Sequence, residues 1–240
     1  MGSKPELVLV SVSGAQATGK TTLLTALAQE VAKGPTCFCV RTPSFGTRLF
    51  ERWKARTLSN APMPVASFDE IDGRGHREWF QRQLPEALSF EVEIAAQMVR
   101  NTGSSSNYML VDRWFPDIMA HTRLGLSKDD IAQRQIRRLC RDRNLQLLEH
   151  LSAHFSVLHV TVFVPVAVSD FNVSGQDGKF RATTDRDAFE SACLQEWPMV
   201  MDKLPMLKLS SPDLATRVLD TKLAIQTART ANDSRPAKRS

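Results

Sequence analysis

The chain has 240 residues, 42% of them hydrophobic and 24% charged, with a formal net charge of +5. That is the balance of a soluble globular chain able to bury a full core. No apolar run approaches the roughly 18–20 residues a bilayer-crossing helix requires, and the first apolar stretch, Leu7 to Val12, has neither the basic leader nor the cleavage site of a signal peptide, so the expectation is a cytoplasmic protein with no membrane partner.

In chain order, Leu7–Val12 is a short apolar run bounded by turn residues, the pattern of a buried parallel strand. A Gly-containing loop follows, and then Lys20–Lys33 predicts a helix with Leu23, Leu24, Leu27, Ala28 and Val31 on one face, stopped by Gly34-Pro35. Thr36–Val40 predicts a second strand. Pro43, Ser44 and Gly46 mark a loop, followed by a short helix through Leu49, Phe50 and Trp53. Residues from Leu58 to Gly75 form a connection rich in Pro, Asp and Gly. A long helix covers His76–Arg100, bent near Pro85. Tyr108–Asp112 is a third strand ending in a carboxylate. Helices are expected over Phe115–Gly125 and Lys128–Ser152, a fourth strand over His159–Val164, a helix near Asp187–Met201, a fifth strand at Met206–Leu209, and a last helix starting near Pro212-Asp213. Strands alternating with helices indicate an α/β fold: one domain with a five-stranded parallel sheet covered on both faces. In such sheets ligands sit beyond the carboxyl ends of the strands.

Two motifs fall at those ends. Gly14-Ala15-Gln16-Ala17-Thr18-Gly19-Lys20-Thr21 matches G-x-x-x-x-G-K-[ST] between a strand and a helix, with Thr22 following. The glycines let the backbone curl so that successive N–H groups face phosphate oxygens, and the helix N-terminus adds donors and dipole. Lys20 would reach the β- and γ-phosphates of ATP, and the Thr21 hydroxyl would ligate Mg²⁺. At the end of the third strand, Asp112 would hold Mg²⁺ or accept a proton from an attacking hydroxyl. Arg113 would offer a planar fork to an acceptor or to the transferring phosphate. Asp117 would either line the acceptor site or complement the dipole of the helix it opens.

The segments GAQATGKTTLL, VDRWFPD and DGKFRATTDRDAFE resemble, in residues and spacing, the P-loop nucleoside and nucleotide kinases, in particular the thymidylate kinase-like and ribosylnicotinamide kinase-like groups. The resemblance covers most of residues 7–225. It implies a three-layer P-loop fold, ATP and Mg²⁺ as cofactors, a nucleoside-like or nucleotide acceptor, and an acceptor-site role for Asp112 and Arg113. It also implies a lid at about 169–186 closing over ATP with Arg181 and Arg186. Arg41 resembles the arginine that contacts the acceptor in thymidylate kinases; the other reading is a loop arginine pairing locally. Gln16 and Ala17 stand where thymidylate kinases usually carry an acid and a glycine, and Ile94 stands where they carry a base-side arginine, which argues against dTMP as the acceptor.

The remaining features bear on partners. Cys37, Cys39, Cys140 and Cys193 lack zinc-site spacing and read as structural thiols, with Cys37 and Cys39 on one side of a buried strand. Arg134, Arg137, Arg138 and Arg141 recur at helical spacing, either as a solvated face or as a track for a nucleic-acid backbone. His150 and His154 lack the acid of a metal-binding pattern. Trp53, Trp79 and Trp114 are divided between core packing and stacking on a base. Residues 1–228 form the kinase-like domain, and residues 229–240 are expected to be a basic, disordered tail. The leading expectation is transfer of the γ-phosphate of ATP-Mg to a nucleoside, nucleotide or related acceptor. The alternatives are a kinase of a hydroxymethylated base within DNA, as some kinases of the thymidylate kinase-like group in DNA-modifying viruses are, and a regulatory ATP-binding switch without a small acceptor. Nucleic acid and a second copy of the chain remain open as partners.

Overall fold

Five strands run parallel in the order β2-β3-β1-β4-β5, so the first strand lies at the centre and its two neighbours come from far along the chain. The structure is a computed structural model and describes residues 4–34, 37–42, 46, 48–49, 74–102, 106–126, 131–168, 185–202 and 204–233. In chain order the elements are β1 (Glu6–Ser13), α1 (Lys20–Val31), β2 (Cys37–Thr42), α2 (Arg74–Arg100), β3 (Ser106–Asp112), α3 (Phe115–Gly125), α4 (Ile131–His154), β4 (Ser156–Phe163), α5 (Arg186–Met201), β5 (Met206–Lys208) and α6 (Leu214–Asp233).

The central strand is apolar on both faces because both are covered. Leu7 and Leu9 point into a core shared with α2, α3, α4 and α5, which includes Phe80, Leu88, Trp114, Phe115, Ile136 and Phe189. Val8, Val10 and Val12 point the other way, onto Leu23, Leu24 and Leu27 of α1 and Val218 and Ile225 of α6. The period of two along β1 thus places one helical layer on each side.

Several boundaries differ from the sequence expectation. The fourth strand starts at Ser156 rather than His159, because it pairs with β1 from Glu6↔Ser156 through Ser13↔Phe163. The last helix runs to Asp233, so Arg229 is not the start of a tail. Its guanidinium donates to the Glu6 carboxylate at 2.5 Å and to the Tyr108 hydroxyl at 3.1 Å, which ties α6 to the sheet. Residues 234–240 lie outside the described residues. So do Phe50 and Trp53 of the short helix expected after β2, although Arg48 and Leu49 are helical. The long helix passes through Pro85 without ending.

The arginine stripe on α4 loses one of its four members to the interior, while Arg134, Arg138 and Arg141 stay exposed. Arg137 turns inward and donates to the Glu196 carboxylate at 2.7 and 2.8 Å, and Arg123 of α3 joins it at 3.2 Å. Glu196 is fully buried, and a buried carboxylate demands such partners. Arg138 pairs with Asp142 on its own helix at 3.7 Å. Cys37 and Cys39 share one side of β2, but β2 is an edge strand and both are half-buried. All four cysteines are free. The His150 and His154 rings lie 5.3 Å apart, and no group of three or more possible metal ligands occurs among the described residues. Trp114 is fully buried, Trp79 is exposed, and no described helix is long and apolar enough to cross a membrane.

Candidate functional site

The loop between β1 and α1 begins where Ser13 leaves the sheet. Gly14 has φ 137°, Ala17 φ 53° and Gly19 φ 84°. Positive φ at these steps curls the chain around a concave centre. Gly14 admits no other residue without adjustment: an added Cβ would run into the Val164 carbonyl oxygen just past β4.

Lys20 opens α1, and only 5% of it is exposed. Its ammonium folds back on the loop, donating to the Ala15 carbonyl and lying 3.5 Å from the Thr18 hydroxyl. Burial strips its water and the Arg113 guanidinium repels it, pulling its pKa down to about 7 against the pull of Asp112 and Asp117. The nearby carboxylates offset the burial of this ammonium only in part, and a polyphosphate in the loop would supply further counter-charge.

The carboxylate at the end of β3 arrives beside the loop because β3 pairs with β1 in the register Val12↔Asp112. Thr21 donates its hydroxyl to Asp112 Oδ2 at 2.8 Å. Asp112 Oδ1 is buried with no hydrogen-bond partner. Leaving an anionic oxygen so placed is costly. Together with the Thr21 hydroxyl it makes a hard-oxygen donor pair suited to Mg²⁺, which takes one or two protein ligands and completes its shell with phosphate and water.

Arg113 stands at φ 76°, a left-handed conformation rare outside glycine. Its amide donates to the Val12 carbonyl at 2.8 Å, and its guanidinium lies 5.6 Å from the centre of the Phe189 ring. Phe189 is fully buried and belongs to α5, so the helix that follows the expected lid segment also supports this arginine. Phe189 falls within the segment DGKFRATTDRDAFE, but no sequence signal assigns it a role there.

Of the two readings of Asp117, the structure gives the one in which it serves the helix it opens, as the acid in the first turn of α3. It is fully buried, and its oxygens accept from the Gly14 amide at 3.2 Å and the Trp114 amide at 3.0 Å, with Arg113 at 3.4 Å. No face of it is left for an acceptor. It clamps the start of the β1–α1 loop to the start of α3.

Arg41 takes the local pairing: it donates to the Thr25 hydroxyl of α1 at 2.5 Å. Arg181 and most of the 169–186 lid lie outside the described residues. Arg186, the first residue of α5, reaches the loop itself and donates to the Ala17 carbonyl at 3.4 Å. Ile94 is exposed on α2. Arg217, which belongs to no motif, is buried and donates to the Thr18 carbonyl at 3.2 Å.

No protein-family model matches the sequence, and no curated protein matches it. Solved structures do. A thymidylate kinase from Candida albicans superposes with a TM-score of 0.52 at 10% identity, covering 95% of this chain and 94% of that one. A thymidylate kinase from Ehrlichia chaffeensis gives 0.52 at 15% identity, covering 92% and 100%. The NadR protein, solved in complex with NR, gives 0.53 at 15% identity, covering 99% of this chain and 52% of that one. At these identities the likeness is one of architecture: the chain has an α/β fold, a five-stranded parallel sheet flanked by helices, in common with these thymidylate kinases and NadR.

Proposed function

We propose that the protein is an ATP-dependent phosphotransferase that moves the γ-phosphate of ATP-Mg to a nucleoside, a nucleotide or a related small acceptor. The observation that carries this reading is the Thr21–Asp112 contact at 2.8 Å beside the buried Lys20. A loop that only turned the chain would need neither a buried ammonium nor a buried unpartnered carboxylate oxygen.

Catalysis in such a site is positioning and charge neutralisation rather than covalent chemistry. The loop amides and Lys20 hold the β- and γ-phosphates. Thr21 and Asp112 are the residues to hold Mg²⁺, which when bound neutralises charge that builds on the phosphate oxygens. The other role open to Asp112, in place of a direct bond to the metal, is to accept the proton of the attacking hydroxyl. Arg113, braced by Phe189 and Asp117, faces the acceptor side. Arg181 and Arg186 bring positive charge from the segment after β4.

The test is transfer from γ-labelled ATP, screened across nucleosides, nucleoside monophosphates, nicotinamide riboside, and plain or hydroxymethylated DNA. Label should appear on one class of small acceptor. Hydrolysis of ATP at a rate indifferent to every acceptor would reject the phosphotransferase reading in favour of a switch. The DNA arm has lost part of its support, since Arg137 is committed to Glu196.

A further inference from the structure

Side chains from three separate elements hold the backbone of the phosphate loop: Asp117 of α3, Arg186 of α5 and Arg217 of α6. Arg217 is the least expected of them. It lies 199 positions from Thr18, is only 3% exposed, and donates through Nη1 to the Thr18 carbonyl at 3.2 Å and through Nε to the Ser211 carbonyl at 2.7 Å. One guanidinium therefore ties the phosphate loop to the segment between β5 and α6.

Fastening a helix to a loop does not call for a buried guanidinium, because an apolar side chain of similar volume holds a contact at least as well. What a guanidinium adds is direction: it holds a carbonyl oxygen toward itself. The described backbone has no cis peptide bond. In a trans peptide the N–H points opposite to the C=O. Drawing the Thr18 carbonyl outward therefore turns the Gly19 amide toward the concave side of the loop. Arg186 does the same one residue earlier, drawing out the Ala17 carbonyl and turning the Thr18 amide inward.

We propose that Arg217 is a positioning residue for polyphosphate: by holding the Thr18 carbonyl outward it keeps the Gly19 amide aimed at the phosphate oxygens. The inference rests on the reading above that this loop seats the polyphosphate of a nucleotide. It concerns phosphates and not a base, so inorganic tripolyphosphate with Mg²⁺ is the probe that isolates it.

Calorimetry should compare wild type with Arg217→Met, Arg217→Lys and the control Arg229→Met, which loosens the same helix at its far end. Arg217→Met, verified as folded by circular dichroism, should bind both tripolyphosphate and ATP roughly tenfold or more weakly, the scale of one charged hydrogen bond lost. Arg217→Lys should recover part of the loss. Arg229→Met should bind like wild type. Wild-type affinity of folded Arg217→Met for tripolyphosphate would overturn the proposal. So would weaker ATP binding with tripolyphosphate untouched, since Arg217 would then serve the base or sugar. Should Arg217→Met not fold, the wild type decides. Titrating ¹⁵N-labelled protein with tripolyphosphate must move the Gly19 amide proton downfield, and an unmoved Gly19 amide overturns the proposal. If wild type binds neither tripolyphosphate nor ATP, the polyphosphate reading itself fails and takes this inference with it.

Discussion

The Thr21 hydroxyl donates to Asp112 Oδ2 across 2.8 Å, joining the first turn of α1 to the end of β3, 91 positions away in the chain. The contact exists because β3 lies directly beside β1 in the register Val12↔Asp112. It gathers into one place the oxygens that the proposed reaction needs.

Replacing Asp112 by Asn keeps the shape and removes the charge. Transfer from γ-labelled ATP should fall by roughly 10²–10⁴, the usual weight of a lost acid–base group, while the melting temperature stays near that of wild type. Unchanged transfer kinetics would remove Asp112 from the mechanism.

Asp117→Asn should behave differently. One oxygen becomes an amide group that must face a backbone N–H or the Arg113 guanidinium, all of them donors. Leaving donors unsatisfied in a fully buried place should cost about 2–4 kcal/mol, read as a lower urea midpoint. Nucleotide binding should weaken along with stability, because the clamp on Gly14 is lost. A variant of native stability with only the acceptor KM altered would restore the acceptor role and contradict the burial.

Gly14→Ala tests the entry to the loop. The added methyl would meet the Val164 carbonyl, and φ 137° is a conformation that residues with a Cβ resist. The backbone strain alone should cost about 1–3 kcal/mol. Thermal melting should show the drop, and ATP affinity should fall with it. An alanine variant that melts and binds like wild type would mean that the loop relaxes at no cost.

The low pKa of Lys20, about 7, makes nucleotide binding depend on pH. Above that value the free site holds a neutral amine. A bound polyphosphate favours the ammonium, so binding must take up a proton there. Affinity should therefore weaken as pH rises past 7, by up to about tenfold per unit. The stability of the unliganded protein should move in the opposite sense. The lysine pKa is 10.5 unfolded, so stability gained at high pH is lost as pH falls from 10.5 through 7. Lys20→Met should flatten both slopes and abolish transfer. Calorimetric titration at pH 6.5, 7.5 and 8.5 reads the first, and urea melts over pH 7–10 read the second.

His159 gives a second pH signal, far from the loop. It is half-buried in β4, 5.1 Å from the Trp114 ring, and bonded to the Ser11 hydroxyl at 2.9 Å. Burial pulls its pKa from 6.5 to about 3. The unfolded chain therefore binds the extra proton between those values, and stability should fall as pH drops through that window by at most about 1.4 kcal/mol per unit. His159→Phe should remove the share of the slope due to this residue. An identical slope in a folded His159→Phe protein would show that carboxylates alone drive acid unfolding.

What could be read from the chain was local. The strand–loop–helix around Gly14–Thr21 announced itself through a fixed spacing of glycines, lysine and threonine. Asp112 was legible because an apolar strand ended in a carboxylate. The alternation of strands and helices followed from periods of two and of about 3.6, which any window of the sequence carries. The misplaced boundaries fell where periodicity gave way to pairing. Ser156 and Val157 belong to β4 because Glu6 and Leu7 lie opposite them.

The sequence by itself determined the kind of layers the protein builds and where along the chain the curled loop with its lysine and threonine falls. Tertiary structure alone decided what each charged side chain does. Asp117 became a clamp on Gly14, Arg137 a partner of Glu196, Arg229 a strap onto Glu6, and Arg217 a hold on Thr18, across 103, 59, 223 and 199 positions. The reason is electrostatic. A buried charge must find a partner in space, and which partner is near depends on strand order and helix packing, which no local spacing encodes.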